Sequence, residues 1–574
     1  MARGERTGVW ATSPIRQAVL TGRPHYVAAA ILSLLGNILY LTPTLFMLQV
    51  YDRVVPTGGL GTLAFLSICG IAAYATLGVF EWLRSRLLVK VGMRLDRALA
   101  GPVLSTILSR RTLSTAERGE AIRELDAFRQ TVAGPVMTIA FDAPWTPIYV
   151  LAAFLLSPWL GLLTILACVV LVLMAWRSER AVQATLEAAN AAATAAYARQ
   201  SQMSANAAQV RALGMRRALT ARALGDRAGV NDLQLRASFT GARYTSWVKT
   251  VRMILQSAGL GVGAWLAIEG QISQGAIIAT SLLMSRALSP IEQLTQNWKQ
   301  VIRARTAFYH LDTMLRGEDG VAPTQLPRPT GAVTLEDVTI ATPGGERVAV
   351  AGISAQINAG EIIGIAGLSG AGKSTLLAAM AGALPLLRGA VRLDGATIES
   401  WDPERLATMV GYLPQDFALF AGSVKDNISR FAALTGDDPE AIDARVVAVA
   451  QSVGAHDMIL RLPKGYDTLV GGGGMGLSAG QSQRIALARA LYGDPAILLL
   501  DEPNSNLDAE GQQALLGLIQ RLSEEGRTVI FAAHQAELLS IATRVMLLAG
   551  GRLTNFGPLA IKPGIVHRLG EKRA

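Results

Sequence analysis

Long apolar runs fill the first half of the chain, and short apolar runs broken by glycine- and proline-rich turns fill the second. A membrane-spanning helix needs about 20 consecutive, mainly apolar residues. Val27–Leu48, Leu60–Trp82, Val136–Leu156, Pro158–Trp176, Val251–Ile268 and Ile272–Ser289 reach or approach that length, which predicts six spans. Brief polar bends join them in pairs, the first running from Tyr51 to Gly59 and the last through Glu269 to Gln271. Between the pairs lie two long charged segments of helical composition, Leu83–Pro135 and Arg177–Lys249. They are too long for simple loops, so the membrane helices are expected to extend well past the bilayer. Apolar heptads are not sustained in the second segment, which predicts paired helices rather than a coiled coil. Arg316–Pro329, with three prolines and two glycines, reads as a linker. From Gly331 onward β-prone and helix-forming runs alternate, as in a mostly parallel α/β domain. The expected order is an N-terminal segment over residues 1–24, an all-α transmembrane domain over 25–315, a linker over 316–330 and an α/β domain over 331–565.

Charge gives this chain a direction. The 574 residues carry a net charge of +10, yet only 17% are charged. Ten arginines and lysines lie in Leu83–Pro135, and Arg211, Arg216, Arg217, Arg222 and Arg227 lie in the second long segment. The short bends carry only Asp52, Arg53 and Glu269. Positive segments stay on the cytoplasmic side, so both termini are expected inside. The basic Met1–Arg23 lacks an apolar core followed by a small-residue cleavage site, which argues against a cleaved signal peptide. Cys69 and Cys168 sit in apolar runs with no metal or redox spacing and are expected to be reduced packing residues. Asp142 could mark a transport path, although a helix-terminal or interface carboxylate is the stronger reading.

The chemistry of the second half centres on Gly367, Leu368, Ser369, Gly370, Ala371, Gly372, Lys373 and Ser374, which fit G-x-x-x-x-G-K-[ST]. A β-prone run, Glu361–Ala366, precedes the motif, and a helix-forming run from Thr375 to Met380 follows it. Strand, glycine loop and helix are the setting in which backbone N–H groups and a helix dipole cup a phosphate. Lys373 is expected on the β- and γ-phosphates and Ser374 on Mg²⁺, with the nucleotide-binding set running to Thr375. A second apolar strand, Ala496–Leu500, delivers Asp501 and Glu502 to its carboxyl end, where ligands sit in open α/β sheets. Asp501 suits Mg²⁺ and Glu502 is placed to polarise an attacking water.

Between these motifs, Leu477, Ser478, Ala479, Gly480 and Gln481 resemble the LSGGQ signature of ABC ATPases, with Ala479 in place of a glycine. In that family the signature of a second nucleotide-binding domain closes on the γ-phosphate bound by the first, so the resemblance implies a homodimer with ATP shared between copies. Gln415 looks like the Q-loop residue, which reaches Mg²⁺ and the attacking water. Ser505 to Asp508 resemble the D-loop, and His534, after the strand Thr528–Ala533, resembles the switch histidine. Two departures stand out. No aromatic in Thr339–Gly344 is available to stack adenine, and Val470–Gly474 has glycine where exporters often carry a glutamate.

The transmembrane domain precedes the ATPase on one chain, as in half-size exporters. The stretches Met47–Arg53, Phe141–Trp145, Asn206–Met215, Arg286–Gln293 and Asp501–Asp508 together resemble the inner-membrane ATPases of bacterial type I secretion systems, of the PrtD protease-exporter kind. The resemblance covers about residues 25–560. It implies a multi-pass protein of the bacterial inner membrane, embedded in lipid and using ATP and Mg²⁺. Its implied partners are a periplasmic adaptor, through it an outer-membrane channel, and an unfolded polypeptide with a C-terminal secretion signal. The first span begins near residue 27, so no leader-cleaving peptidase domain is expected. An exporter of lipid or small hydrophobic compounds would share the same engine. A soluble nucleic-acid-associated ATPase is disfavoured because the positive residues flank apolar spans instead of forming one face. A channel or regulator that binds ATP without pumping is disfavoured by the presence of Glu502 and His534.

Overall fold

The structure, a computed structural model, describes residues 13–110, 115–316, 326–342, 347–471 and 476–558. The chain divides into two compact units, residues 1–318 and 319–574.

The first unit is helical. After α1 (Pro14–Thr21), α2 (Arg23–Leu39) and α3 (Thr42–Gln49), a π-helical turn at Val50–Val54 leads to α4 (Leu60–Ser109). Next come α5 (Thr115–Val132), α6 (Pro135–Asp142), α7 (Thr146–Leu156), α8 (Pro158–Ala205), α9 (Arg216–Ile268), α10 (Gln274–Gln296) and α11 (Trp298–Arg316). Helices α4, α8 and α9 contain 50, 48 and 53 residues. At 1.5 Å per residue each is roughly 70–80 Å long, more than twice a ~30 Å hydrocarbon core.

Among the described residues five helical stretches are long and apolar enough to cross a membrane: Arg23–Thr57, Leu60–Ser109, Glu117–Leu156, Pro158–Ala205 and Arg216–Ile268. The sixth expected span falls in α10, which is more polar. Gly275, Ala279, Leu283, Met284, Ala287 and Leu288 of α10 are buried against its neighbours. A helix enclosed by protein need not be apolar on every side. The expected Val136–Leu156 span is interrupted by a 3-10 turn at Ala143–Trp145, where Pro144 and Pro147 remove backbone donors.

Polar side chains lock these helices together. The Asp142 carboxylate accepts from Ser33 Oγ at 2.5 Å, Asn37 Nδ2 at 3.1 Å and Arg84 Nη1 at 2.7 Å. It therefore ties α2 and α4 to α6 as an interface carboxylate with its charge compensated. Asp52 caps α10, accepting from the Gly275 N–H at 2.8 Å and from Ser273 Oγ at 2.6 Å. Cys69 and Cys168 are free thiols.

The second unit holds β1 (Val333–Ala341), β2 (Val348–Ile357), β3 (Ile362–Gly367), α12 (Lys373–Met380), β4 (Arg388–Leu393), β5 (Val410–Leu413), α13 (Ala479–Leu491), β6 (Ile497–Asp501), α14 (Ala509–Glu524), β7 (Thr528–Ala532), β8 (Arg544–Ala549) and β9 (Arg552–Pro558). β1, β2 and β4 lie in a small antiparallel sheet. The main sheet has the order β9-β8-β3-β7-β6-β5 and is parallel except for β9. Side chains alternate across its strands. Leu498, Leu500, Val529 and Phe531 face a core shared with α13 and α14, whereas Ile363, Ile365, Leu499 and Ile530 face a core shared with α12, β1 and β2. Covering both faces suits the continuous apolar runs of a parallel sheet. Parallel registry also brings Gly367, Leu413, Asp501 and Ala532 to one edge.

Candidate active site

That edge carries the phosphate loop, Gln415, Asp501, Glu502 and His534. β3 runs into the glycine loop, and Gly372 has a left-handed backbone at φ +97°. A Cβ there would meet Ala349 O and a Val350 methyl, both at 2.9 Å, so the close approach of loop and β2 requires glycine. Lys373 opens α12 and is buried. Its ammonium curls back over the loop, donating to Gly367 O at 3.0 Å and Leu368 O at 3.2 Å. Burial pushes its pKa below the usual lysine value, while Glu502 and Asp501 pull in the opposite direction.

Ser374, one residue on, donates to Gln415 Oε1 at 3.4 Å. Gln415 Nε2 in turn donates to Glu502 Oε2 at 3.3 Å, and His534 Nε2 lies 3.0 Å from Glu502 Oε1. Three loops, after β5, β6 and β7, thus converge on one carboxylate. Glu502 itself has φ +47°, a conformation that is costly for a side chain with a Cβ and is found at functional sites. Its backbone N–H is pinned to Ala532 O at 3.1 Å.

Asp501 is 2% exposed, and its Oδ1 is buried with no hydrogen-bond partner among the described residues. Burial pushes this carboxyl above the usual aspartate range, and the charge of Glu502 adds to that shift, against Ser374 and Lys373. An unpartnered buried carboxylate oxygen beside a serine hydroxyl and an amide oxygen is a donor set that fits a hard divalent cation. The residues present therefore fit Mg²⁺.

Among the described residues no hydrogen bond joins Ser478–Gln481 to the phosphate loop. Ser478 caps α13 through a reciprocal capping box with Gln481. A Cβ on Gly480 would meet Asn506 O at 2.8 Å, so the signature packs against the D-loop of the same chain. Ser478, Gly480, Gln481, Arg484, Asn506 and Asp508 line an open cleft of about 280 Å³. Ala479, at the first turn of α13, accommodates its methyl within a regular helix. Part of Val470–Gly474 and of Thr339–Gly344 lies outside the described residues.

Sequence reasoning missed Gln483. It is 2% exposed, donates to Pro503 O at 2.6 Å and accepts from Asn506 N at 3.0 Å. One amide thereby fixes the turn that carries Glu502. Asn504 Nδ2 donates to Gln535 Oε1 at 2.6 Å, joining the loops after β6 and β7. Gln483 lies inside a polar run, Gln481–Arg484, at the start of α13, so nothing in its immediate sequence set it apart.

Family models agree with this architecture. One described as ABC transporter matches residues 350–505, and one described as ABC transporter transmembrane region matches residues 26–290. The type I secretion system ATP-binding protein PrsD of Rhizobium meliloti (strain 1021) is 40% identical over 542 residues, covering 93% of this chain and 92% of that protein. The leukotoxin translocation ATP-binding protein LktB of Mannheimia haemolytica is 28% identical over 94% of this chain and 76% of its own length. In fold, a bacterial Atm1-family ABC exporter with ATP bound superposes with a TM-score of 0.81 at 24% identity, covering 96% of this chain and 99% of that one. A phosphate loop, a carboxylate pair and a helical membrane region on one polypeptide, joined to near full-length likeness to PrsD, place this chain in the ABC transporter family, as a membrane exporter of the type I secretion kind that couples ATP hydrolysis to transport.

Proposed function

We propose that this exporter drives an unfolded polypeptide, recognised by a C-terminal secretion signal, across the bacterial inner membrane. The observation that carries the reading is the 40% identity to PrsD across nearly the whole of both chains. Residues 25–315 serve as the transmembrane domain and 331–565 as the nucleotide-binding domain, with both termini cytoplasmic. A periplasmic adaptor and an outer-membrane channel complete the route. The working unit is a homodimer in which the Lys373 loop of one copy and Ser478–Gln481 of the other enclose each ATP. The cleft at Ser478–Gln481 is lined by no residue of its own chain's phosphate loop, which supports that arrangement.

In this reading Lys373 and the loop N–H groups hold the phosphates, and His534 contacts the terminal one. Glu502, oriented by Gln415 and His534, accepts a proton from the attacking water. Asp501, Ser374 and Gln415 would hold Mg²⁺, which supplies charge neutralisation on the phosphate oxygens. ATP binding draws the two domains together and shifts the membrane helices, and hydrolysis releases them.

Uptake into inside-out vesicles tests the cargo. A polypeptide ending in the tail of a type I secreted protein is expected to become protease-protected with ATP, and the same polypeptide without its tail is not. ATP-dependent lipid movement without polypeptide uptake would assign the same engine to a lipid or small hydrophobic compound instead.

A further inference from the structure

The loop after β7 brings His534 to Glu502 with little to hold it there. Its last hydrogen bond to the sheet, among the described residues, runs from the Ala533 N–H to Ile365 O at 3.2 Å. The His534 side chain beyond it is 47% exposed, and among the described residues its one hydrogen-bonding or ionic partner is Glu502, at 3.0 Å. Gln535 comes next, also exposed, and opens only a short helix, Ala536–Leu539. An imidazole this open to solvent is not fixed by packing.

The loop after β6 is the opposite case. Gln483 of α13 clamps its turn, donating to Pro503 O at 2.6 Å and accepting from the Asn506 N–H at 3.0 Å. The Ser505 N–H donates to Glu502 O at 3.2 Å, and the Leu507 N–H to Asn504 O at 3.3 Å. Asn504 sits inside this clamp, 8% exposed, and its Nδ2 reaches across to Gln535 Oε1 at 2.6 Å. A fixed post two residues after Glu502 thus holds the residue that directly follows His534.

We propose that Asn504 is a positioning residue for ATP hydrolysis: through Gln535 it sets the His534 imidazole against the Glu502 carboxylate. The proposal rests on the reading of Glu502 as the base and of His534 as a group that orients it. Because Asn504 is the anchored partner, the tether acts on the His534 side. Neither amide belongs to the glycine loop, so Lys373 and the loop N–H groups keep the phosphates when the tether is lost. The bond lies partly out of water, where solvent replaces it incompletely.

The test is steady-state ATP hydrolysis by the intact detergent-purified protein. Asn504→Ala is expected to lower kcat by about 3- to 10-fold, the span of one neutral hydrogen bond. KM for ATP is expected to stay within about twofold of wild type, the pattern of a lost transition-state interaction. Gln535→Ala removes an exposed side chain and leaves the clamped turn intact, and is expected to give the same loss. The double variant is expected to be no slower than either single one, because both remove the same bond. Wild-type kcat in Gln535→Ala, losses that multiply in the double variant, or a loss carried by KM would each overturn the inference. Glu502→Gln separates the two readings. Lost turnover in that variant upholds Glu502 as the base whatever the Asn504 variants do, and retained turnover overturns that reading and this inference with it.

Discussion

Glu502→Gln is expected to lower ATP turnover by roughly 10²–10⁴-fold, the range that a positioned general base contributes. The reason is geometric. Glu502 is the carboxylate on which Gln415, at 3.3 Å, and His534, at 3.0 Å, converge, and its backbone is held in a left-handed conformation to reach them. Glutamine keeps the size and shape of the side chain but cannot take a proton from water. Nucleotide binding depends on the glycine loop and Lys373, so it is expected to survive. The variant should accumulate in a closed, ATP-bound state, read as retained ATP after gel filtration beside a loss of phosphate release. Near wild-type turnover would remove Glu502 from its role.

Lys373→Ala is expected to fail one step earlier, with ATP affinity falling about 10- to 100-fold, the equivalent of one charge-assisted hydrogen bond at ~1.5–3 kcal/mol. The buried ammonium already reaches across the loop to Gly367 O and Leu368 O, so it sits over the cup that backbone N–H groups form. Burial costs Lys373 some of its preference for the charged state, and a polyphosphate would restore it. A binding titration distinguishes this variant from Glu502→Gln, because one loses binding and the other loses turnover. Intact affinity in Lys373→Ala would contradict the phosphate role.

These two residues were legible because their chemistry is tied to local order. A β-prone run followed by a glycine loop and a helix fixes where Lys373 must point, and a strand of Leu498, Leu499 and Leu500 leaves Asp501 and Glu502 at the sheet edge. Parallel pairing then brings Gln415 and His534 to the same edge, although 119 residues separate them (534 − 415). What sequence could not supply was the tertiary environment. Gln483 acts by holding Pro503 O and Asn506 N, contacts invisible until α13 packs beneath the turn. The left-handed backbone of Glu502 has no composition signal, since glutamate is not a residue that favours it.

The membrane half divides the same way. Apolar length located the long helices but was blind to the 3-10 break at Ala143–Trp145. It also counted α10 as an ordinary span, although that helix is polar enough to depend on burial among its neighbours. Asp142, ambiguous in the sequence, gains its meaning from Ser33, Asn37 and Arg84, which come from two other helices.

In the proposed homodimer each ATP is shared between two copies, and disulfide trapping tests that most directly. In a chain with Cys69 and Cys168 replaced and Glu502→Gln present, Ser369→Cys and Ala479→Cys place one thiol in the phosphate loop and one in the signature. With ATP and mild oxidant, a covalent dimer near twice the 60.7 kDa of the chain is expected, and without nucleotide the monomer should persist. A link formed within one chain, or no ATP-dependent dimer, would contradict the shared site.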